Sequence, residues 1–283
     1  MVCSLLVRDA VEWGAVKTGS KVKQSSQIIG GIFMKMQSNT IFITGGTSGI
    51  GKGLAEAFHQ LGNQVIITGR REDRLQSVCA ANPGMRHFVL DVTDLTSVRN
   101  TARKVIKEFP ALNCVFNNAG MQRRHTFAAG KPIDDSAMLA EIQTNLLGLI
   151  RVSAEFLPHL KNQQGATLLN VSSGLAFVPL AVFPVYCATK AAVHSFSLSL
   201  RHQLKDSNVK VIELIPPYVA TELGGGSQAP AGALGQMPLE TFIAATLKEL
   251  EGDADEIAIG GAKNLLAASS PESVKKIFSG MNH

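Results

Sequence analysis

What most constrains this chain is an alternation. From Asn39 onward, short runs that are apolar throughout are each followed by a longer segment with helical periodicity. TIFIT precedes KGLAEAFHQLG, QVIITG precedes EDRLQSVCAA, HFVLDV precedes LTSVRNTARKVIKEF, and NCVFNNAG precedes a helix around AMLAEIQTNLLGLIRVSAEFLPHL. ATLLNVSS then leads into a long helix from about Val185 to Leu204, KVIELIPP into LETFIAATLKELEG, and EIAIG closes the series. Strands without polar alternation are buried on both faces, and strands separated by helices pair in parallel. The pattern predicts an α/β fold: a doubly wound, mostly parallel sheet with helices on both faces.

Composition excludes other classes. In 283 residues, 45% are apolar and 17% charged, which is the balance of a globular chain, and no run reaches the ~20 apolar residues a membrane span needs. The formal charge of +5 includes +3 from Arg8, Lys17, Lys21, Lys23 and Lys35 against Asp9 and Glu12, so the rest carries only +2. Basic residues are scattered, which argues against nucleic acid as a partner. Cys3, Cys79, Cys114 and Cys187 form neither a CxxC pair nor a metal spacing, so we expect free thiols, no metal and a cytoplasmic location. Residues 1–35 lack any sustained period, and Arg8, Asp9 and Glu12 interrupt what a signal peptide would keep apolar. We expect an over-extended start there, with Gly30 and Gly31 translating a purine-rich ribosome-binding sequence upstream of Met34, and a single domain over 36–283.

The stretch TGGTSGIGKGL sets five glycines and the start of a helix directly after the first strand. The first backbone N–H groups of a helix are unpaired and its dipole favours negative charge, so phosphate is the expected visitor. A Walker loop is excluded because Gly53 stands where a Ser or Thr should hold magnesium. The alternative is a dinucleotide fingerprint in variant spacing, Thr44-Gly45-x-x-x-Gly49-x-Gly51, with Ser48 and Ile50 between. Taken alone, it is also compatible with a merely structural turn. After the second strand, Gly69, Arg70 and Arg71 occupy the place where an NAD binder keeps an acidic residue. Guanidinium recognises phosphate through paired donors, so NADP(H) is favoured over NAD(H), with Arg70 foremost and Arg71 assisting.

Tyr186 and Lys190 lie one helical turn apart and can meet on one face. At ~5 Å and an effective dielectric of about 20, their attraction is roughly 3 kcal/mol. That lowers a phenol pKa by about two units unless desolvation cancels it. The strand TLLNVSS ends at Ser172 and Ser173, and NNAG ends the strand before, at the carboxyl edge where such sheets bind ligands.

TGGTSGIG, LDV, NNAG, Asn145, the serine thirteen residues before Tyr186, YCATK and the PP-V-T run after IELI resemble, in order and spacing, the short-chain dehydrogenase/reductase family. The stretch from Ser173 to Leu204 resembles its DltE-type bacterial branch. The resemblance covers about Asn39 to Thr221 and implies a seven-stranded Rossmann sheet. It implies Tyr186 as general acid/base, Lys190 as the residue that lowers its pKa and holds the nicotinamide ribose, and Ser173 as the donor to a substrate carbonyl. Asn145 would anchor a water for proton relay. Asp91 and Val92 would meet the adenine edge, Asn118, Ala119 and Gly120 the ribose region, and Val219 with Thr221 the carboxamide. Pro217 departs from the usual glycine and leaves the local backbone open. Kinship further implies a homodimer or homotetramer built on the two long helices.

These readings describe an oxidoreductase for a small carbonyl or alcohol. The alternative is a regulator that binds coenzyme without turnover, for which the intact Asn-Ser-Tyr-Lys set speaks unfavourably. A sugar-nucleotide epimerase is disfavoured by the glycine spacing and the short C-terminal segment. Leu175, Phe177, Val178, Val182, Phe183 and Tyr218 flank the expected carbonyl site and read equally as pocket or core. Arg123, Arg124 and His125 read as a solvated loop that could alternatively meet an anionic substrate. Residues 224–238 read as a mobile loop, expected to close over the ligand.

Overall fold

Each apolar run becomes a strand in the structure, a computed structural model that describes residues 34–282 except 129, 131, 224–234 and 269. β1 is Thr40–Thr44, β2 Gln64–Gly69, β3 Arg86–Val89, β4 Cys114–Asn117, β5 Ala166–Val171, β6 Val209–Ile215 and β7 Glu256–Ala258. All pair in parallel, in the order β3-β2-β1-β4-β5-β6-β7. The chain winds outward from β1, then returns to place β4 on its other side. That reversal opens a crevice at the carboxyl ends of β1 and β4, where ligands of open α/β sheets bind.

The intervening segments form α1 (Gly49–Gln60), α2 (Glu72–Ala81), α3 (Leu95–Glu108), α4 (Asp135–Ile142), α5 (Leu149–Leu160), α6 (Pro184–Gln203) and α7 (Leu239–Leu250). Side chains alternate across a strand, so β1 feeds two cores. Ile41 and Ile43 pack with Leu54 and Phe58 of α1 and Phe242 of α7, while Phe42 packs with Val98 of α3 and Phe156 of α5. The rings of Phe42 and Phe156 lie 4.6 Å apart. Each fully buried aromatic of this kind contributes about 1.5–3 kcal/mol.

Three features depart from the sequence pattern. The expected single helix before β5 is divided by a π-helical segment, Gln143–Gly148, between α4 and α5. Two further helices, α8 (Ala262–Leu266) and α9 (Pro271–Met281), follow β7. Met34 is buried in the core on the α1 side, and the carbonyl of Lys35 accepts from Asn39 Nδ2 at 2.6 Å, so the packed chain already includes residue 34. Among the described residues, no helix is long and apolar enough to cross a membrane.

Pro217 causes no disruption, because β6 ends at Ile215 and a proline beyond the ladder has no strand hydrogen bond to lose. Pro216 still anchors the next layer through its carbonyl, which accepts from Gly174 N at 2.9 Å. The register also aligns Asn117, Asn170, Glu213 and Glu256 across β4 to β7. This polar row, buried except at the half-buried Glu256, lies just below the crevice.

Candidate active site

The glycine turn is shaped by its contacts with β4. Gly45 has φ +69° and Gly49 φ +53°, left-handed values that side chains rarely adopt. Asn118 Nδ2 donates to the carbonyls of Thr44 and Gly45 at 3.0 and 3.2 Å. Thr44 Oγ1 in turn accepts from the N–H groups of Asn118 and Ala119, both at 3.0 Å. A Cβ on Gly51 would collide with Asn118 Nδ2 and the Gly45 carbonyl, so a third glycine is required by packing. The result is a helix whose N-cap, Ser48, makes no side-chain capping bond. The free N–H groups at the start of α1 therefore face the crevice, the arrangement that accepts a phosphate.

A cavity of about 900 Å³ runs from this turn across the switch point. Gly45, Ser48, Gly49, Ile50, Arg70, Arg71, Asp91, Val92, Asn118, Ala119, Gly120, Val219 and Thr221 all line it, as do Ser173, Tyr186 and Lys190. Arg70 and Arg71 are exposed, directly after β2 and before α2. Asp91 Oδ1 accepts from Thr93 N at 2.9 Å and Thr93 Oγ1 at 2.8 Å, which fixes the turn after β3. Asn118 lines the cavity, but its amide donors already hold the glycine turn. Val219 is held by a bridge to Met237, and Thr221 Oγ1 accepts from Leu223 N at 3.3 Å.

At the cavity floor Ser173, rather than Ser172, is the hydroxyl that bears on the phenol of Tyr186. Ser173 Oγ also accepts from Leu175 N at 3.1 Å, whereas Ser172 Oγ is buried without a partner. Lys190 Nζ donates to the Val171 carbonyl at 2.7 Å and stands 5.7 Å from the centre of the Tyr186 ring. Asn145 sits within the π segment, a local widening of the helix common at functional sites. Its Oδ1 accepts from Met121 N and its Nδ2 donates to Met121 O, both at 2.8 Å, with Thr189 Oγ1 at 3.2 Å. Asn145 thus holds the chain just after NNAG.

The electrostatics correct one expectation. Tyr186 is 6% exposed, and burial pushes its phenol well above the ordinary tyrosine range, with the Ser173 hydroxyl opposing weakly. Desolvation outweighs the attraction that helical spacing alone suggested. Burial likewise pushes the Lys190 ammonium down to about 8, opposed by the charge of Glu213. Glu213 is fully buried on β6. Its Oε2 lies 2.8 Å from Nδ1 of His194, one turn beyond Lys190 on α6, and its Oε1 has no hydrogen-bond partner. Glu256, its neighbour across β7, pairs with Arg201 at 3.4 Å.

The loop after β4 is solvated at Arg123 and Arg124, which are exposed, but not at His125. His125 Nε2 lies 2.9 Å from Glu141 Oε2, with both side chains buried, and Arg123 N donates to Glu141 Oε1 at 3.2 Å. Arg124 stacks its guanidinium 5.4 Å from the Phe183 ring centre. Of the apolar residues flanking the site, Leu175, Phe183 and Tyr218 line the cavity, while Phe177, Val178 and Val182 pack in a core cluster beside it. Leu180, Leu265 and Met281 also line the cavity and were not anticipated, and Met237 lines it from the end of the loop over residues 224–238. The signal for α9 was present: Ser270, Pro271 and Glu272 form a helix start, with Ser270 capping Ser273 N. Residues 224–234 of the expected mobile loop lie outside the described residues; Met237, at its end, is tied to Tyr218 and Ala220 by backbone hydrogen bonds of 2.9 Å.

Comparison with known proteins gives a consistent set. Residues 39–231 match the family model described as short chain dehydrogenase. Over 202 residues, 70% of this chain and 79% of the relative, the sequence is 46% identical to an uncharacterized oxidoreductase DltE of Bacillus subtilis (strain 168). A serine 3-dehydrogenase of Rhizobium radiobacter is 34% identical over 198 residues, 68% of this chain and 78% of its own. The structure of a short chain dehydrogenase from Burkholderia cenocepacia J2315 in complex with NADP is similar, with a TM-score of 0.76 and 26% identity over 87% of this chain and 99% of that one. A Burkholderia phymatum short chain dehydrogenase/reductase in complex with NAD shares the fold, with a TM-score of 0.68 and 21% identity over 79% and 89%.

Proposed function

The chain belongs to the short-chain dehydrogenase/reductase family, and from that premise we propose that it is an NADP(H)-dependent oxidoreductase interconverting a carbonyl and an alcohol, with Tyr186 as general acid and base. The observation that carries this reading is the Ser173–Tyr186 hydroxyl pair on the floor of a cavity whose other end is an uncapped helix N-terminus. The α1 N-terminus, from Ser48 to Gly51, would hold a pyrophosphate; Arg70 and Arg71 would hold a ribose phosphate. Asp91 and Val92 would border the adenine, Asn118 to Gly120 the adjoining sugar, and Val219 and Thr221 the carboxamide. Bound there, the coenzyme supplies or accepts the hydride.

The chain supplies orientation and a proton. Ser173 and Tyr186 both donate toward a carbonyl oxygen, where negative charge develops on reduction. Even with its raised pKa, the phenol is a stronger acid than a hydroxyl resembling water, whose pKa is about 15.7, so it can protonate an alkoxide. Lys190 stabilises the phenolate left behind. A Cβ at Gly120 would lie 3.4 Å from Asn145 Oδ1 and 3.8 Å from Lys190 Nζ, so this glycine keeps open the gap through which a water would return a proton, by way of Lys190, to the phenolate. The homodimer or homotetramer belongs to the same proposal, supported by Leu147 and Leu198, exposed beside α5 and on α6.

Titrating the protein with NADPH and NADH by coenzyme fluorescence tests the binding half. NADPH is expected to bind at least tenfold tighter. Arg70→Ala is expected to weaken NADPH by roughly 10- to 100-fold, the value of a charge-assisted hydrogen bond, and NADH far less. Tighter binding of NADH would overturn the preference, and binding of neither would overturn the function.

A further inference from the structure

We infer that the substrate is a neutral, predominantly apolar aldehyde or ketone, and not a carboxylate, sulfonate or amino acid. The inference rests on the oxidoreductase reading and deepens it. Beyond Ser173 and Tyr186, the cavity is walled by Leu175, Leu180, Phe183, Met237, Leu265 and Met281, drawn from the segment before α6, from the segment before α7, and from α8 and α9. These parts of the chain are far apart in sequence yet converge on one apolar surface. Gln122 and the Tyr218 phenol add polarity without an ordinary charge.

Charged side chains among the described lining residues are accounted for elsewhere. Arg70, Arg71 and Asp91 stand after β2 and β3, on the far side of the glycine turn from Tyr186. Glu222 pairs with Arg74 at 3.2 Å, and Lys190 points its ammonium at the Val171 carbonyl. Arg123 and Arg124 are not among the lining residues; Arg124 lies over the Phe183 ring. A carboxylate or sulfonate drawn beside this wall would lose its hydration with no cation among the described wall residues to replace it, and an unpaired buried charge is strongly unfavourable. Methylene groups would instead gain by leaving water.

The test is a substrate series with whichever reduced coenzyme binds. For straight-chain aldehydes from propanal to octanal, kcat/KM is expected to rise about fourfold per methylene until the wall is filled. Sulfoacetaldehyde and 2-oxo acids are expected at least about 100-fold below neutral carbonyls of equal length, as is serine in the oxidative direction against a neutral alcohol, reflecting the cost of an unpaired charged group. A charged substrate that equals or exceeds the best neutral one overturns the inference. If no carbonyl is turned over with either coenzyme, the enzymatic reading fails, and the wall is then tested by binding alone. Alkyl amides, which mimic a carbonyl without accepting hydride, should quench bound-coenzyme fluorescence more tightly as the chain lengthens, and alkyl sulfonates should not. The reverse order overturns the inference independently of turnover. In the wall itself, Met281→Lys is expected to lower octanal reduction at least tenfold more than propanal reduction, with Met281→Leu restoring the ratio. An unchanged ratio in a variant folded by circular dichroism removes α9 from the substrate site.

Discussion

Burial acts on Tyr186 and Lys190 in opposite directions, and that opposition sets the protein's pH response. It raises the phenol, so Tyr186 keeps its proton at neutral pH, and it lowers the ammonium to about 8, so Lys190 is charged below that value and neutral above it. The value of kcat/KM for the coenzyme, which reports groups of the free protein, is therefore expected to fall as pH rises through about 8. Glu213 holds the Lys190 proton against desolvation, so Glu213→Gln should move that falling limb to lower pH. A limb that stays in place in the variant would remove Glu213 from the charge balance. The helical interval between Tyr186 and Lys190 was legible in the sequence; the depth of the site was not. Depth comes from Val178, Leu265 and Met281, which pack with Tyr186 from other segments. Glu213 was likewise hidden, because it meets α6 only after β6 is seated beside β5.

Among the elements, the strands and most helices follow from local pattern because parallel, doubly covered strands leave long apolar runs. What the pattern missed depends on distant partners. QTNLLG reads as ordinary helix, yet it forms the π segment that presents Asn145 to Met121. Asn118 reads as a ribose contact, yet its amide braces a glycine turn more than 70 positions away. His125 reads as loop until Glu141 is brought against it. Two glycine substitutions separate bracing from chemistry. Gly51→Ala drives a methyl into Asn118 and the Gly45 carbonyl, so it should cost about 1–3 kcal/mol in denaturant unfolding and weaken the coenzyme at least tenfold. Gly120→Ala meets only ordinary contacts, so it should unfold near the wild-type midpoint while lowering turnover, because its methyl enters the gap between Asn145 and Lys190. Equal unfolding midpoints for the two variants would contradict this division.

For the molecule, the winding order is decisive. Reversal between β1 and β4 brings the glycine turn, NNAG, Ser173 and the start of α6 to one crevice, while α8 and α9 close its far end with apolar side chains. The general site could be read in advance because its parts lie at strand ends, whose position the alternation predicts. The substrate end could not, because Met237, Leu265 and Met281 meet only through tertiary packing. The central claim is that a proton held by Tyr186 limits carbonyl reduction in this crevice. Comparing wild type with Tyr186→Phe, by coenzyme titration and by NADPH-dependent reduction of a neutral aldehyde, measures it most directly. The account predicts coenzyme affinity within about threefold, since phenylalanine keeps the ring, and turnover lower by about 10²- to 10⁴-fold, the usual contribution of general acid catalysis. Turnover within a few-fold of wild type, at equal coenzyme saturation, would contradict it.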